Sequence, residues 1–302
     1  MTDDRPAILS LVRLPEPQQR EMEATYAVHD APSPAIRAVV TDGRRGLSAA
    51  EAAALPGLRL VASASAGMEG IDRAALEARG VALANVGPAL AGEVADHAMM
   101  LLLAAWRGLP AQHAFVRSGA WSREGHWPLG RSLAGRRLGL LGIGGIGQAV
   151  AARALPFGLR ILYHARHPRD LPWTFVPDLL DLARQSDILV VAVPGGEATR
   201  GLVSAAVLDA LGPEGVLVNV ARGSVVDEKA LIAALSQGRL GAAGLDVFAS
   251  EPDPDPRLTA LPNVVLTPHS ASATEETRAA MARMVLDNLA AFFAGRPMPG
   301  AV

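Results

Sequence analysis

The run Ile188-Leu-Val-Val-Ala-Val193 sets apolar residues side by side with no polar alternation. A strand with one wet face alternates, so this run suits a strand covered on both faces, as in the interior of a parallel sheet. Parallel neighbours cannot be joined by a tight turn. They need crossover connections, usually helical and right-handed.

The rest of the chain repeats that pattern. Ala7–Val12, Ala38–Thr41 and Leu58–Ser63 read as a first series of strands, and Ser48-Ala-Ala-Glu51 as a capping box opening a helix between the last two. Arg137–Ile143, Arg160–Tyr163, Ile188–Val193, Gly215–Val220, Ala242–Val247 and Val264–Leu266 form a second series. Helices are expected at Gly147–Leu155, at Asp227–Ser236 with Asp227 as N-cap, and at Thr274–Gly295 opened by Ser272-Ala-Thr-Glu275. A long helix around Glu93–Arg107 connects the two series, and the last helix returns to the first. Two α/β domains follow, with no internal repeat. Glu251-Pro-Asp-Pro-Asp-Pro256 reads as a stiff loop, because alternate prolines forbid helix and ladder alike.

Composition narrows the classes of function. The 302 residues are half hydrophobic and carry a formal charge of −2 with both signs interspersed, so no basic stripe points to nucleic acid or a membrane surface. The absence of cysteine removes disulfides, thiolate catalysis and zinc–sulfur sites; no metal site is expected. The start, Met1-Thr-Asp-Asp-Arg5, lacks an apolar segment, which gives no support to a signal peptide and leads to a cytoplasmic expectation. The apolar stretch Ala98–Trp106 falls short of the roughly 20 residues of a membrane span and reads as a buried helix.

Gly142-Ile-Gly-Gly-Ile-Gly147 follows a strand and opens a helix. That context turns a weak G-x-G-x-x-G match into a dinucleotide-binding turn. Gly142 allows the bend, Gly144 the approach of a pyrophosphate and Gly147 close helix–strand packing, with free helix amides on the phosphates. An NAD-binding fold places Asp or Glu about 20 residues further on, against the adenosine ribose. Here His164 and Ala165 stand there, followed by Arg166, His167 and Arg169. Guanidinium groups pair bidentately with a 2′-phosphate, so the residues favour NADP(H), with NAD(H) as the second choice.

Arg222, Glu251 and His269 each follow a late strand, where the carboxyl ends of an open α/β sheet build their sites. At this point the chain resembles the D-isomer-specific 2-hydroxyacid dehydrogenase family over essentially its whole length. The resemblance rests on Gly142–Gly147, Asn219-Val-Ala-Arg-Gly-Ser-Val-Val-Asp-Glu228, Gly244-Leu-Asp-Val-Phe248 with Glu251-Pro252, and Leu266-Thr-Pro-His-Ser-Ala-Ser-Ala-Thr274. Within the family it is most similar to the glyoxylate/hydroxypyruvate reductases that use NADPH.

The resemblance implies two Rossmann-like domains with parallel sheets, one flavodoxin-like and one dinucleotide-binding, and an active-site cleft between them. The substrate-binding domain would comprise residues 1–92 and 273–302, and the NADP-binding domain residues 93–272. His269 would protonate the carbonyl oxygen, Glu251 would hold the other imidazole nitrogen, and Arg222 would bind the substrate carboxylate. Gly145, Ile146, Val193, Pro194 and Ala221 would line the cofactor, and Asp246 would orient its carboxamide. Backbone amides at Ala66, Gly67 and Met68 would meet the substrate carboxylate. Glu69-Gly70, Gly145 and Pro194-Gly-Gly196 depart from the family pattern. The expected partners are a small 2-oxo acid or 2-hydroxy acid and a second copy of the chain, seated over Glu93–Arg131; Trp121 and Trp127 lie in that stretch, outside the catalytic set. A reductase of longer sugar acids such as 2-oxogluconate is the first alternative, and a non-catalytic dinucleotide-sensing regulator the second.

Overall fold

The computed structural model describes residues 5–302, and the first four residues of the acidic start lie outside the described residues. The chain divides into two compact units, one running to Ala91 and resuming over Ser272–Val302, the other Gly92–Ala271. The boundaries read from the sequence, 92/93 and 272/273, sit one residue later at each crossing.

The first unit carries β1 (Ala7–Ser10), β2 (Ala27–His29), β3 (Ala38–Thr41), β4 (Leu60–Ser63) and β5 (Ala82–Ala84) in the order β2-β1-β3-β4-β5. Every pairing is parallel. This is the flavodoxin-like order, with its reversal between β1 and β3. β3 and β4 are buried at every position. The capping box forms as expected: Ser48 Oγ accepts from Glu51 N, while the Glu51 carboxylate accepts from Ser48 N at 2.9 Å.

The second unit carries β6 (Arg137–Leu141), β7 (Arg160–His164), β8 (Thr174–Phe175), β9 (Ile188–Val191), β10 (Val216–Asn219), β11 (Ala242–Leu245) and β12 (Val264–Leu266). Their order, β12-β11-β10-β9-β6-β7-β8, is the dinucleotide-binding one, and its direction reverses between β6 and β9. All of these pairings are parallel. Of the apolar run Ile188–Val193, the first four residues form β9, fully buried between β6 and β10, and the half-buried Ala192 and Val193 lie beyond its end.

Several boundaries move. The long helix begins at Gly87 rather than Glu93 and runs 21 residues to Arg107. Pro88 sits in its first turn, where no amide hydrogen is needed, so the Gly-Pro pair opens the helix instead of barring it. Taken whole, that helix has the length and apolar composition of a membrane span, which the shorter stretch Ala98–Trp106 did not. Ten of its 21 residues are buried within the protein, Leu101, Leu102 and Trp106 among them. Gly244 of β11 takes Leu101 so closely that a Cβ there would lie 2.9 Å from the leucine's own. Burial of Leu101 and Leu102, both at 0% exposure, contributes about 1.5–3 kcal/mol each. The last helix, Glu275–Phe293, is capped by Thr274, whose hydroxyl accepts from Thr277 N at 3.2 Å, and not by Ser272. The Pro-rich loop ends sooner than read, because Pro256 starts a short helix capped by Asp255.

Candidate active site

The glycine turn lies where the strand order of the second unit reverses. Gly142 has φ +99°, and a Cβ on it would stand 2.7 Å from Ala192 O and 2.9 Å from Val193 Cγ1, both just past β9. Only glycine satisfies both conditions. A Cβ on Gly147 would overlap the Gly142 carbonyl, whereas Gly144 faces open space. The three glycines thus divide their work as a pyrophosphate cradle requires.

The helix after the turn starts at Gly145, two residues earlier than expected, with Gly144 as an N-cap that has no side chain to offer. Gln148 N reaches back to Gly144 O at 2.9 Å. The amides of Gly145, Ile146 and Gly147 precede it and lack intrahelical acceptors. An anion is the partner such amides take. Val193 is half-buried and Pro194 exposed at the rim of this crevice.

β7 leads to the basic loop. Arg166, His167 and Arg169 are all exposed, and among the described residues neither guanidinium pairs with a carboxylate. His164, at the position where a ribose-binding carboxylate was sought, directs Nδ1 to Val176 O at 3.0 Å. The turn and the loop together fit a dinucleotide bearing a 2′-phosphate.

β10, β11 and β12 lie side by side in register, Asn219 beside Leu245 and Leu245 beside Leu266. Arg222, Glu251 and His269 stand beyond these adjacent ends. The chain holds the three segments together through the backbone. A Cβ on Gly223 would overlap the Phe248 carbonyl, so the Arg222 segment packs directly under the one carrying Glu251. Glu228 Oε2 accepts from Ala249 N at 2.9 Å and ties them again. Asn219 is 1% exposed; its amide nitrogen donates to Arg222 O at 3.0 Å and its oxygen accepts from Ala221 N at 3.0 Å. Arg222 is half-buried and donates from NH1 to Ala221 O at 2.7 Å.

His269 Nδ1 lies 2.7 Å from Glu251 Oε2. The other oxygen of that carboxylate accepts from Phe248 N at 3.0 Å. A carboxylate acceptor at Nδ1 leaves Nε2 as the ring atom that can give or take a proton outside the pair. His269 has φ +51°, and its amide donates to Asp246 O at 2.9 Å. Among the described residues it is the one non-glycine with positive φ.

Asp246 has a task the sequence did not reveal. Its carboxylate, 1% exposed, accepts from Thr267 Oγ1 at 2.7 Å, Ser270 N at 2.8 Å and Ala271 N at 2.9 Å. It therefore grips both sides of His269. His97 Nε2 lies 2.8 Å from Thr267 Oγ1; since that hydroxyl donates to Asp246, the histidine donates to it. Asn219, Thr267 and His97 were missed. The available signal was chemical: Asn219 ends the otherwise apolar strand Val216–Asn219, and a buried amide must have partners.

In the first unit, Ala66, Gly67 and Met68 follow β4. Ser65 Oγ donates to Gly67 O and accepts from Gly43 N, both at 2.7 Å, and Asn85 Nδ2 donates to Ala66 O at 3.3 Å. These bonds fix the carbonyls, and the three amides of Ala66, Gly67 and Met68 donate to no acceptor among the described residues. Successive free amides form an anion-binding concavity. The Met68 side chain packs against the first unit's core, so its part beyond the backbone is structural.

Comparison with known proteins matches this arrangement. Residues 99–271 fit the family model described as D-isomer specific 2-hydroxyacid dehydrogenase, NAD binding domain. The chain is 39% identical to a 2-ketogluconate reductase of Gluconobacter oxydans, with 97% of each chain covered. It is 44% identical to glyoxylate/hydroxypyruvate reductase A of Arabidopsis thaliana over 87% of this chain and 84% of that one. Among solved structures, the NADPH-dependent glyoxylate/hydroxypyruvate reductase of Sinorhizobium meliloti, in complex with NADP and malonate, superposes with a TM-score of 0.88 at 40% identity, covering 99% of this chain and 97% of that one. With the glycine turn at the reversal point, the histidine–glutamate pair beyond it and relatives that match from end to end, the chain belongs to the D-isomer-specific 2-hydroxyacid dehydrogenase family.

Proposed function

We propose that the protein reduces a small 2-oxo acid, glyoxylate or hydroxypyruvate, to the D-2-hydroxy acid with NADPH. The observation that carries this reading is the His269–Glu251 pair, 2.7 Å apart beyond β12, in the same unit as a glycine cradle and an uncommitted basic loop. NADPH supplies the hydride. The remaining work falls to the chain. Gly142, Gly144, Gly145, Ile146 and Gly147 hold the pyrophosphate, with Val193, Pro194 and Ala221 lining the crevice. Arg166, His167 and Arg169 hold the 2′-phosphate.

His269 gives its Nε2 proton to the substrate oxygen as the carbonyl becomes a hydroxyl. Glu251 keeps the ring in the donating orientation. Arg222 offers a fixed positive charge to the substrate carboxylate and polarises the adjoining carbonyl. The amides of Ala66, Gly67 and Met68 offer a second carboxylate site. Asp246 holds the histidine's loop and orients the carboxamide.

A homodimer through residues 93–131 fits the apolar side chains exposed there, among them Met100 (48%), Leu109 (56%), Val116 (54%), Trp121 (57%) and Leu129 (101%). Trp127 stacks edge-on with Phe115 at 5.2 Å, which favours packing over chemistry.

The full-length match to a 2-ketogluconate reductase favours a second reading, the same reaction on a longer sugar acid. Initial rates with glyoxylate, hydroxypyruvate and 2-oxogluconate, each with NADPH and NADH, separate the two. Higher kcat/KM on the short acids with NADPH supports the first reading. Higher kcat/KM on 2-oxogluconate selects the second, and no turnover on any of them removes both.

A further inference from the structure

We propose that the buried hydroxyl of Tyr163 sets cofactor choice, by holding the loop of Arg166, His167 and Arg169 in the shape that receives a 2′-phosphate. The inference rests on the reading of that loop as a phosphate site.

Tyr163 is 1% exposed, with its ring against Phe175 at a centroid distance of 5.4 Å. Packing accounts for the ring but not for the oxygen. That oxygen accepts from Arg169 N at 2.9 Å and donates to Arg169 O at 3.1 Å. One hydroxyl thus satisfies both backbone groups of the residue that closes the basic loop. The opening residue is pinned as well: His164 O accepts from Gly142 N at 3.0 Å, and its ring reaches Val176 O. The loop is therefore anchored at one end to the glycine turn and at the other to Tyr163.

Arg166, His167 and Arg169 project from this tethered segment without a carboxylate partner among the described residues. Like charges held together and left unpaired are arranged for a multivalent anion. A phosphate monoester matches two guanidinium forks, and a ribose hydroxyl does not. The tether acts before binding. It removes conformational freedom that would otherwise be lost when the phosphate arrives, so it strengthens only the ligand that engages the loop. A purely structural tyrosine would affect both cofactors alike.

The test is Tyr163→Phe, which keeps the ring against Phe175. Binding of NADPH, NADH and adenosine 2′-monophosphate to wild type and variant is measured by calorimetry without substrate. Loss of the hydroxyl is expected to weaken NADPH and adenosine 2′-monophosphate by about tenfold while NADH shifts by less than about twofold. Arg166→Ala with Arg169→Ala should weaken the same two ligands further. Equal weakening of NADPH and NADH, or no change in either, overturns the role of Tyr163 while leaving the phosphate site intact. Wild type that binds NADH as tightly as NADPH, and ignores adenosine 2′-monophosphate, overturns the phosphate site and this proposal with it. Should Tyr163→Phe not fold, wild-type hydrogen exchange decides. The Arg169 amide should be protected already in the free protein, and exchange at the rate of an open loop contradicts the tether.

Discussion

His269 Nδ1 stands 2.7 Å from Glu251 Oε2, and the same carboxylate is fixed from its other side by the Phe248 amide at 3.0 Å. The ring orientation is thus set by a group itself held by backbone. In Glu251→Gln one acceptor oxygen becomes a donor, so either the histidine or the Phe248 amide loses its partner. A charge-assisted hydrogen bond of about 1.5–3 kcal/mol corresponds to a fall in kcat of about 10- to 100-fold. Steady-state kinetics should show that fall with the KM for NADPH little changed.

Gly223→Ala should damage the site from beneath. The added methyl would overlap the Phe248 carbonyl, so one of the two segments that present Arg222 and Glu251 must move. Overpacking of this kind costs about 1–3 kcal/mol. Denaturant melts should show that loss together with reduced kcat, and a variant with unchanged melt and turnover would contradict the packing described.

Asp246→Ala should be more severe. It leaves the amides of Ser270 and Ala271 and the Thr267 hydroxyl without their buried acceptor. Unsatisfied buried groups cost about 1–3 kcal/mol each. We expect a loss of about 2–5 kcal/mol in urea melts, and Asp246→Asn, which keeps one oxygen acceptor, should lose less.

The sequence announced its architecture through elements long enough to carry a period. The Asp227 cap and the Ser48–Glu51 box fall where they were read, and the strand expected at Ile188–Val193 forms but stops at Val191. The strands Ala27–His29, Ala82–Ala84 and Thr174–Phe175 went unread because two or three residues display no alternation and, unlike Val264-Val-Leu266, they hold no adjacent β-branched pair to mark them. The paired roles of Glu251 and His269 came from resemblance, since their spacing alone carries no contact. Asn219 was legible only as a polar end to an apolar strand, and Thr267, His97 and the Tyr163 hydroxyl were illegible. Their work is to bond backbone and buried groups that only the fold brings near, and nothing in their local sequence names those partners.

A pH effect is expected at Glu51. The Arg45 guanidinium, then the Ser48 amide and hydroxyl, hold its carboxyl down at about 2, below the usual carboxylate range. A lowered folded value stabilises the fold above the unfolded value of about 4.3 and is lost as pH falls toward the folded one. With 41% of its side chain exposed, the contribution is screened to under about 1 kcal/mol. The stability gap between wild type and Glu51→Gln should hold constant from neutral pH to about 5 and narrow below it. A gap that widens on acidification would contradict the assignment.

The most direct test of the account is His269→Ala, followed by NADPH binding and by glyoxylate reduction. The cradle, the basic loop and Arg222 are untouched by this change. NADPH should bind as in wild type while kcat falls by about 10²–10⁴-fold, the usual contribution of a positioned proton donor. Near-normal kcat in a folded, NADPH-binding variant would remove His269 from the chemistry and with it the centre of this account.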